Sequence, residues 1–154
     1  MNRLIQSQLE LLKQTLNLRD EVLHSISDAD LAYRLPGSPS LGELILELGT
    51  AEAAYARSFR DFILRFDMQA PAGLTTLAAL RDWFAVLDED LLDSLSELDD
   101  EDLERRIDRD GWSLPLEANF HVFREAVLIF AAKATLYLRA LGKPLPKQLE
   151  SWIG

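Results

Sequence analysis

Apolar residues recur at three- and four-residue spacing in four long stretches of this chain, separated by short polar or Pro/Gly-bearing segments. That period predicts four helices and no sheet. In the first, over residues 3–25, Ile5, Leu9, Leu12, Leu16 and Leu23 form a stripe that Leu4, Leu11 and Val22 widen. Ser27 with Asp30 three residues on has the spacing of a brief capped turn, which Pro36-Gly37 stops. The second helix starts at SPSLGEL, either at Ser40 with Glu43 as a capping box or at Ser38-Pro39. Its expected buried stripe is Leu41, Leu44, Leu48, Ala51, Tyr55, Phe59, Phe62 and Phe66, running out before the loop Ala70-Pro71-Ala72-Gly73. Thr75 or Thr76 opens the third, with Leu77, Leu80, Phe84, Leu87, Leu91, Leu95 and Leu98 in register.

The fourth stretch, Glu117 to Gly142, differs in kind. From Ala126 to Leu138 only Lys133, Thr135 and the hydroxyl of Tyr137 are polar. A helix apolar on nearly every side is a core helix or a membrane span. The run is interrupted by Lys133 and falls short of the roughly 20 apolar residues a span requires. It reads as the central helix, which the others surround, and Gly142 and Pro144 end it. Between helices three and four, LDDEDLERRIDRDGWSLPL reads as a short helical turn at 100–106 and an irregular crossover through Asp110-Gly111 and Pro115, with at most a short turn near 107–114. The tail PLPKQLESWIG folds a last turn whose Trp152 and Ile153 pack back. The connection between helices one and two is roughly a dozen residues and that between three and four nearer 18, too long for simple up-down links. The expected fold is all-α, one domain over 1–154: a four-helix bundle with crossover connections.

Composition narrows the function. A net charge of −10 in 154 residues argues against nucleic acid, whose phosphates need a cationic face. With no cysteine, disulfides, thiolate metal sites and a cysteine nucleophile are excluded. The start MNRLIQSQLELLKQ has neither the apolar core nor the small-residue cleavage site of a signal peptide, so a cytoplasmic location is the default expectation. No phosphate loop, nucleophile elbow or Ser/His/Asp arrangement is present.

Three phrases, LAYRLPGSPSLGELILELGTAEAAY, YLRALGKPLP and the tail SWIG, resemble the DinB-like (YfiT-like) superfamily of bacterial four-helix bundles. The resemblance implies a divalent metal on three histidines, one within the second helix and two spaced by four residues on the last. It also implies thiol S-transferase or hydrolase activity in some relatives. Carried over residue by residue, those positions fall on Glu47, Ala126 and Phe130. A zinc-type open site wants about three nitrogen or oxygen ligands, and Ala126 and Phe130 supply none. No metal or other cofactor is therefore expected at the usual place.

Other polar residues on the core helices leave a rebuilt site open. His121 and Glu125 share a face of the fourth helix, and Glu43 and Glu47 a face of the second. Such a set would suit a divalent ion such as Zn or Ni, or acid–base chemistry. Against this, the capping box accounts for Glu43; Glu47, about 100° around the helix from Leu48, borders the core or faces water. His24 suits the negative end of helix one. Lys133 is a catalytic amine or anchor for an anionic ligand, or else it is ion-paired, with Glu47 as a candidate partner, or snorkels outward. Trp112 is a candidate pocket lid or subunit contact. The leading reading is a bundle without the metal that binds a small ligand or a partner, with a homodimer one form of the latter. The alternatives are a metal-dependent transferase or hydrolase using Glu47, His121 and Glu125, and a purely structural dimer.

Overall fold

The computed structural model describes all 154 residues. Helix α1 spans Arg3–Ser25, α2 Leu41–Asp61, α3 Leu77–Ser96 and α4 Leu116–Ala140; α5, Lys147–Trp152, is a short tail helix. Strands β1 (Arg106–Asp108) and β2 (Ser113–Pro115) form the only sheet, and 3-10 turns lie at Asp28–Ala32 and Asp102–Glu104. The starts are where side chains can hold the free amides of a first turn. Asn2 accepts from the Ile5 amide, Ser40 and Glu43 make the reciprocal capping box, and Thr76 accepts from Ala79. Asn2 does more than cap, because its amide donates to the carbonyls of Leu95 and Leu98 and pins the start of α1 to the end of α3.

Helix α1 packs against α4 and α3, and α2 against α3 and α4. Consecutive helices α1 and α2 thus lie across one diagonal, α3 and α4 across the other, and the long connections cross the ends of the bundle. Helices α2 and α4 run antiparallel. The Tyr137 hydroxyl donates to the Pro39 carbonyl at 2.6 Å at one end, while Asn119 donates to Ser58 at the other. The core is one continuous cluster whose largest members include Phe59, Phe84, Phe120 and Phe123, all essentially inaccessible.

Three expectations change. Residues 106–115 are an ordered hairpin rather than an irregular crossover, in register Arg106↔Pro115, Ile107↔Leu114 and Asp108↔Ser113. Its loop is Asp110-Gly111, both with positive φ (56° and 92°), the geometry of a type I′ turn. Ile107 is fully buried, and Asp108 exchanges backbone bonds with Phe62 and Leu64, tying the hairpin to the end of α2. For that reason α2 stops at Asp61: Phe62 turns left-handed (φ 61°) and Phe66, expected in the stripe, is 64% exposed with its ring edge-on to Tyr55. In the tail it is Leu149 that is fully buried; Ile153 packs only partly and Trp152 is exposed.

Helix α4 is also not enclosed. Ile129 and Leu136 are 56% and 55% exposed, because no element of the chain covers its outward side.

Close packing of α2 on α3 yields a stability test. A Cβ built on Gly49 would come within 2.3 Å of the Trp83 ring. Alanine normally favours a helix over glycine by up to about 1 kcal/mol. We expect Gly49→Ala instead to destabilise the fold by about 1–3 kcal/mol through overpacking, read by urea unfolding. A stabilised variant would show that Trp83 does not seat on Gly49.

Candidate functional site

Between the antiparallel helices α2 and α4 runs a cleft of about 170 Å³. Helix α2 contributes Leu44, Glu47, Leu48 and Ala51, and α4 contributes Ala126, Ile129, Phe130 and Lys133. Each set recurs at three- and four-residue steps, so each forms one strip along its helix. Phe130 is buried at the floor, Ala126 is half-buried, and Ile129 stands at the rim. The three positions that the resemblance singled out, Glu47, Ala126 and Phe130, therefore line one and the same cleft.

The Glu47–Lys133 ion pair does not form. Both side chains are exposed, and neither makes a salt bridge or side-chain hydrogen bond within the chain. Lys133 is spared burial by the open outward side of α4. The rebuilt set does not assemble either: no group of three or more His, Asp or Glu side chains, Glu47, His121 and Glu125 included, comes together in a way that could hold a metal ion. His121 is half-buried, edge-on to Phe120 at 5.3 Å and 3.4 Å from the Arg124 guanidinium, while Glu125 is exposed. Glu43 is occupied by Ser40 and an ion pair with Arg34 at 2.9 Å; the Ser40 amide leads the contacts that lower its pKa. His24 bonds the Asp20 carbonyl within its own helix. Trp112, at the hairpin, is exposed beside Arg109 and lines no part of the cleft.

The bundle holds one polar cluster that was not anticipated. Arg19 is 1% exposed and donates to three carboxylates: Asp88 through two bonds of 2.8 Å, Asp20 at 2.7 and 2.9 Å, and Glu52 at 3.2 Å. Its guanidinium also lies over the Phe84 ring at 4.4 Å. Burial by itself would lower the Arg19 pKa, but the bond to Asp88 and the charges of Glu52, Asp88 and Asp20 outweigh it and hold it above its ordinary value. Glu52 is fully buried and its Oε1 has no partner. Burial pushes its pKa well up; Arg19 opposes this and Asp88 adds to it. The signal for this cluster was present in the sequence. Arg19, Glu52 and Asp88 each occupy a core-register position, four residues after or three before a buried apolar residue of their own helix. A second buried polar pair, Asn119 and Ser58, takes a bond from Arg109 at 3.0 Å.

A DinB superfamily profile matches residues 11–132, most of the bundle. The chain belongs to the DinB superfamily. Its structure is similar to that of a DinB-like protein from Bacillus cereus (TM-score 0.77, 18% identity, 96% of this chain and 99% of that one covered). It is also similar to a DinB-like protein from Bacillus subtilis (TM-score 0.71, 21% identity, 86% and 90% covered). At such identities these likenesses establish the fold alone. No curated protein matches the sequence. No helix of this DinB protein is long and apolar enough to cross a membrane.

The charge cluster makes a pH-dependent prediction. Removing Arg19 leaves Asp88 and the buried Glu52 without their donor, so we expect Arg19→Met to cost about 1–3 kcal/mol in denaturant unfolding. Glu52 keeps its proton in the folded chain at a pH where the unfolded chain, with a carboxyl near about 4.3, has released it. Its contribution is complete below that value and declines as the pH rises toward the folded value. Glu52→Gln should therefore gain stability relative to the natural chain as the pH is raised from 4 to 7. A difference that stays flat across that range would mean that Glu52 is ionised in the fold.

Proposed function

We propose that this DinB protein binds a small, largely apolar cation in the α2/α4 cleft, anchored by Glu47, and that it does so without a metal ion. The observation that carries this is the lining: six apolar side chains on facing helices, with one carboxylate, Glu47, and one ammonium, Lys133, both exposed at the rim. The positions that the superfamily resemblance assigns to metal ligands are Glu47, Ala126 and Phe130. Of these, only Glu47 carries a donor atom, which is fewer than the three protein ligands an open divalent site requires. Lys133, also on the lining but exposed, repels a divalent ion about twice as strongly as a singly charged ammonium, and water at the rim screens its charge.

The same features favour an organic occupant. A dry apolar void of about 150 Å³ accommodates a benzene-sized ring, and this cleft is of that order, so one ring or a short branched chain fills it. The carboxylate at the rim is exposed and unpaired, available to a basic nitrogen. A chain with a net charge of −10 also raises the local concentration of cations and repels anions, nucleic acid among them. On this reading the protein is a binding module rather than a transferase or hydrolase, and we take it to act in the cytoplasm.

Benzylamine and benzyl alcohol separate the two halves of the reading, since they share a ring and differ in charge. Titrations followed by NMR should shift the resonances of Ala126, Ile129 and Phe130 with benzylamine. Benzyl alcohol, or benzylamine with Glu47→Gln, should bind about two- to fivefold more weakly, the size of a lost ion pair at a solvated rim. Equal affinity of the natural and Glu47→Gln proteins for the amine, or no shift at all, would refute it.

A further inference from the structure

We propose that the outward face of α4 docks a second copy of this chain, with Ile129 on the two-fold axis. Helix α4 is the most apolar segment of the protein, yet the bundle covers only part of its circumference. Ile129 and Leu136, seven residues apart and so nearly in line, are each more than half exposed, with Ala132 and Ala140 exposed beside them. Two large aliphatic side chains on one stripe of a helix are what a partner buries.

The arrangement of charge along that stripe selects the partner. Glu125, Ile129 and Lys133 stand at i, i+4 and i+8, an acid and a base at equal distances on either side of the isoleucine. Both charged side chains are exposed and make no ion pair within the chain. A two-fold axis through Ile129 reverses the row, bringing Glu125 of each copy against Lys133 of the other and Ile129 against itself. When two helices pack through their four-residue rows they cross at about 50°, and at that angle the two reversed rows run side by side. Ala126 and Ala132 flank the isoleucine, and their small side chains allow the helices to approach closely. An isologous contact requires a patch that is its own complement, and this row is one. It is locally neutral on a chain of net charge −10, so it suits a second copy, whereas a partner drawn to the protein's overall charge would be basic. The mutual repulsion of two such chains weakens the association, so by mass action the dimer fills only at higher concentration. Ile129 and Lys133 also line the α2/α4 cleft, so a second copy seated here borders the cleft and neutralises Lys133, leaving Glu47 as its one uncompensated charge.

Sedimentation velocity and light scattering over a concentration series test the proposal. The mass should rise from that of the 17.4 kDa chain toward twice that value. Ile129→Glu should hold the protein at the monomer mass with its helical circular dichroism unchanged. Glu125→Lys and Lys133→Glu should each weaken association about tenfold or more, and the double charge swap should restore it. If Ile129→Glu does not fold, the charge swap still decides the matter. A monomer at every concentration, or a dimer indifferent to these charges, would overturn the proposal. A monomer that still binds benzylamine through Glu47 would sink this interface and leave the reading of the cleft standing.

Discussion

Covering the inner side of α4 is the constraint on which the rest of this structure turns. Its inner residues, among them Phe120, Phe123, Val127, Ala131, Ala134 and Leu138, are inaccessible to water, and they become so only because α1 and α2 close on it from two sides. At about 1.5–3 kcal/mol for each large apolar side chain buried, that enclosure outweighs any single polar contact in the bundle. It also explains the connectivity. Helix α4 must lie between α1 and α2, so those two are diagonal, and the chain between them crosses the end of the bundle. The hairpin serves the same end: it feeds Leu116 into the core and, through Phe62 and Leu64, fixes where α2 stops relative to where α4 begins.

Two kinds of charge sit on these helices, and burial separates their roles. Arg19, Glu52 and Asp88 come from three helices and meet beneath the surface, where an unpaired charge is expensive and a paired one fixes how those helices register. Glu47 and Lys133 lie at the rim of a cleft, hydrated and free of partners within the chain. The first group holds the bundle in register; the second is available to something outside it. That distinction, rather than the number of acidic residues, is why the α2/α4 cleft and not the charge cluster is the candidate binding site.

Much of this was legible before any coordinates. Period, caps and breakers located α1 and the start of α2 and α3, because each is a local signal: the Ser40–Glu43 box and the Thr76 cap are decided within one turn. The likeness to DinB bundles located Glu47, Ala126 and Phe130, which proved to line one cleft. What failed was non-local. Whether the apolar circumference of α4 is wholly covered depends on how many neighbours reach it, and periodicity carries no such count; hence Lys133 could be read as ion-paired or as snorkelling outward, and the open side of α4 leaves it exposed and unpaired. Phe66 continues the apolar period of α2 in the sequence, but the left-handed Phe62 ends the helix before it. The Asp110-Gly111 pair is a local signal for a tight hairpin, yet without a visible strand period on either side it suggests only an irregular crossover. Arg19 and Glu52 carry charges that by themselves point to solvent, while their helical positions put them in the core.

The central claim is that the cleft between α2 and α4 is an apolar slot with one acid and one ammonium at its rim, and not a metal centre. Elemental analysis of protein purified without chelators, then dialysed against zinc, nickel and manganese in turn, tests it most directly. The account predicts far less than one equivalent of any of these ions retained, because Glu47 is the only donor at the three positions concerned. One tightly held equivalent, released by a chelator and lost in Glu47→Ala, would contradict it.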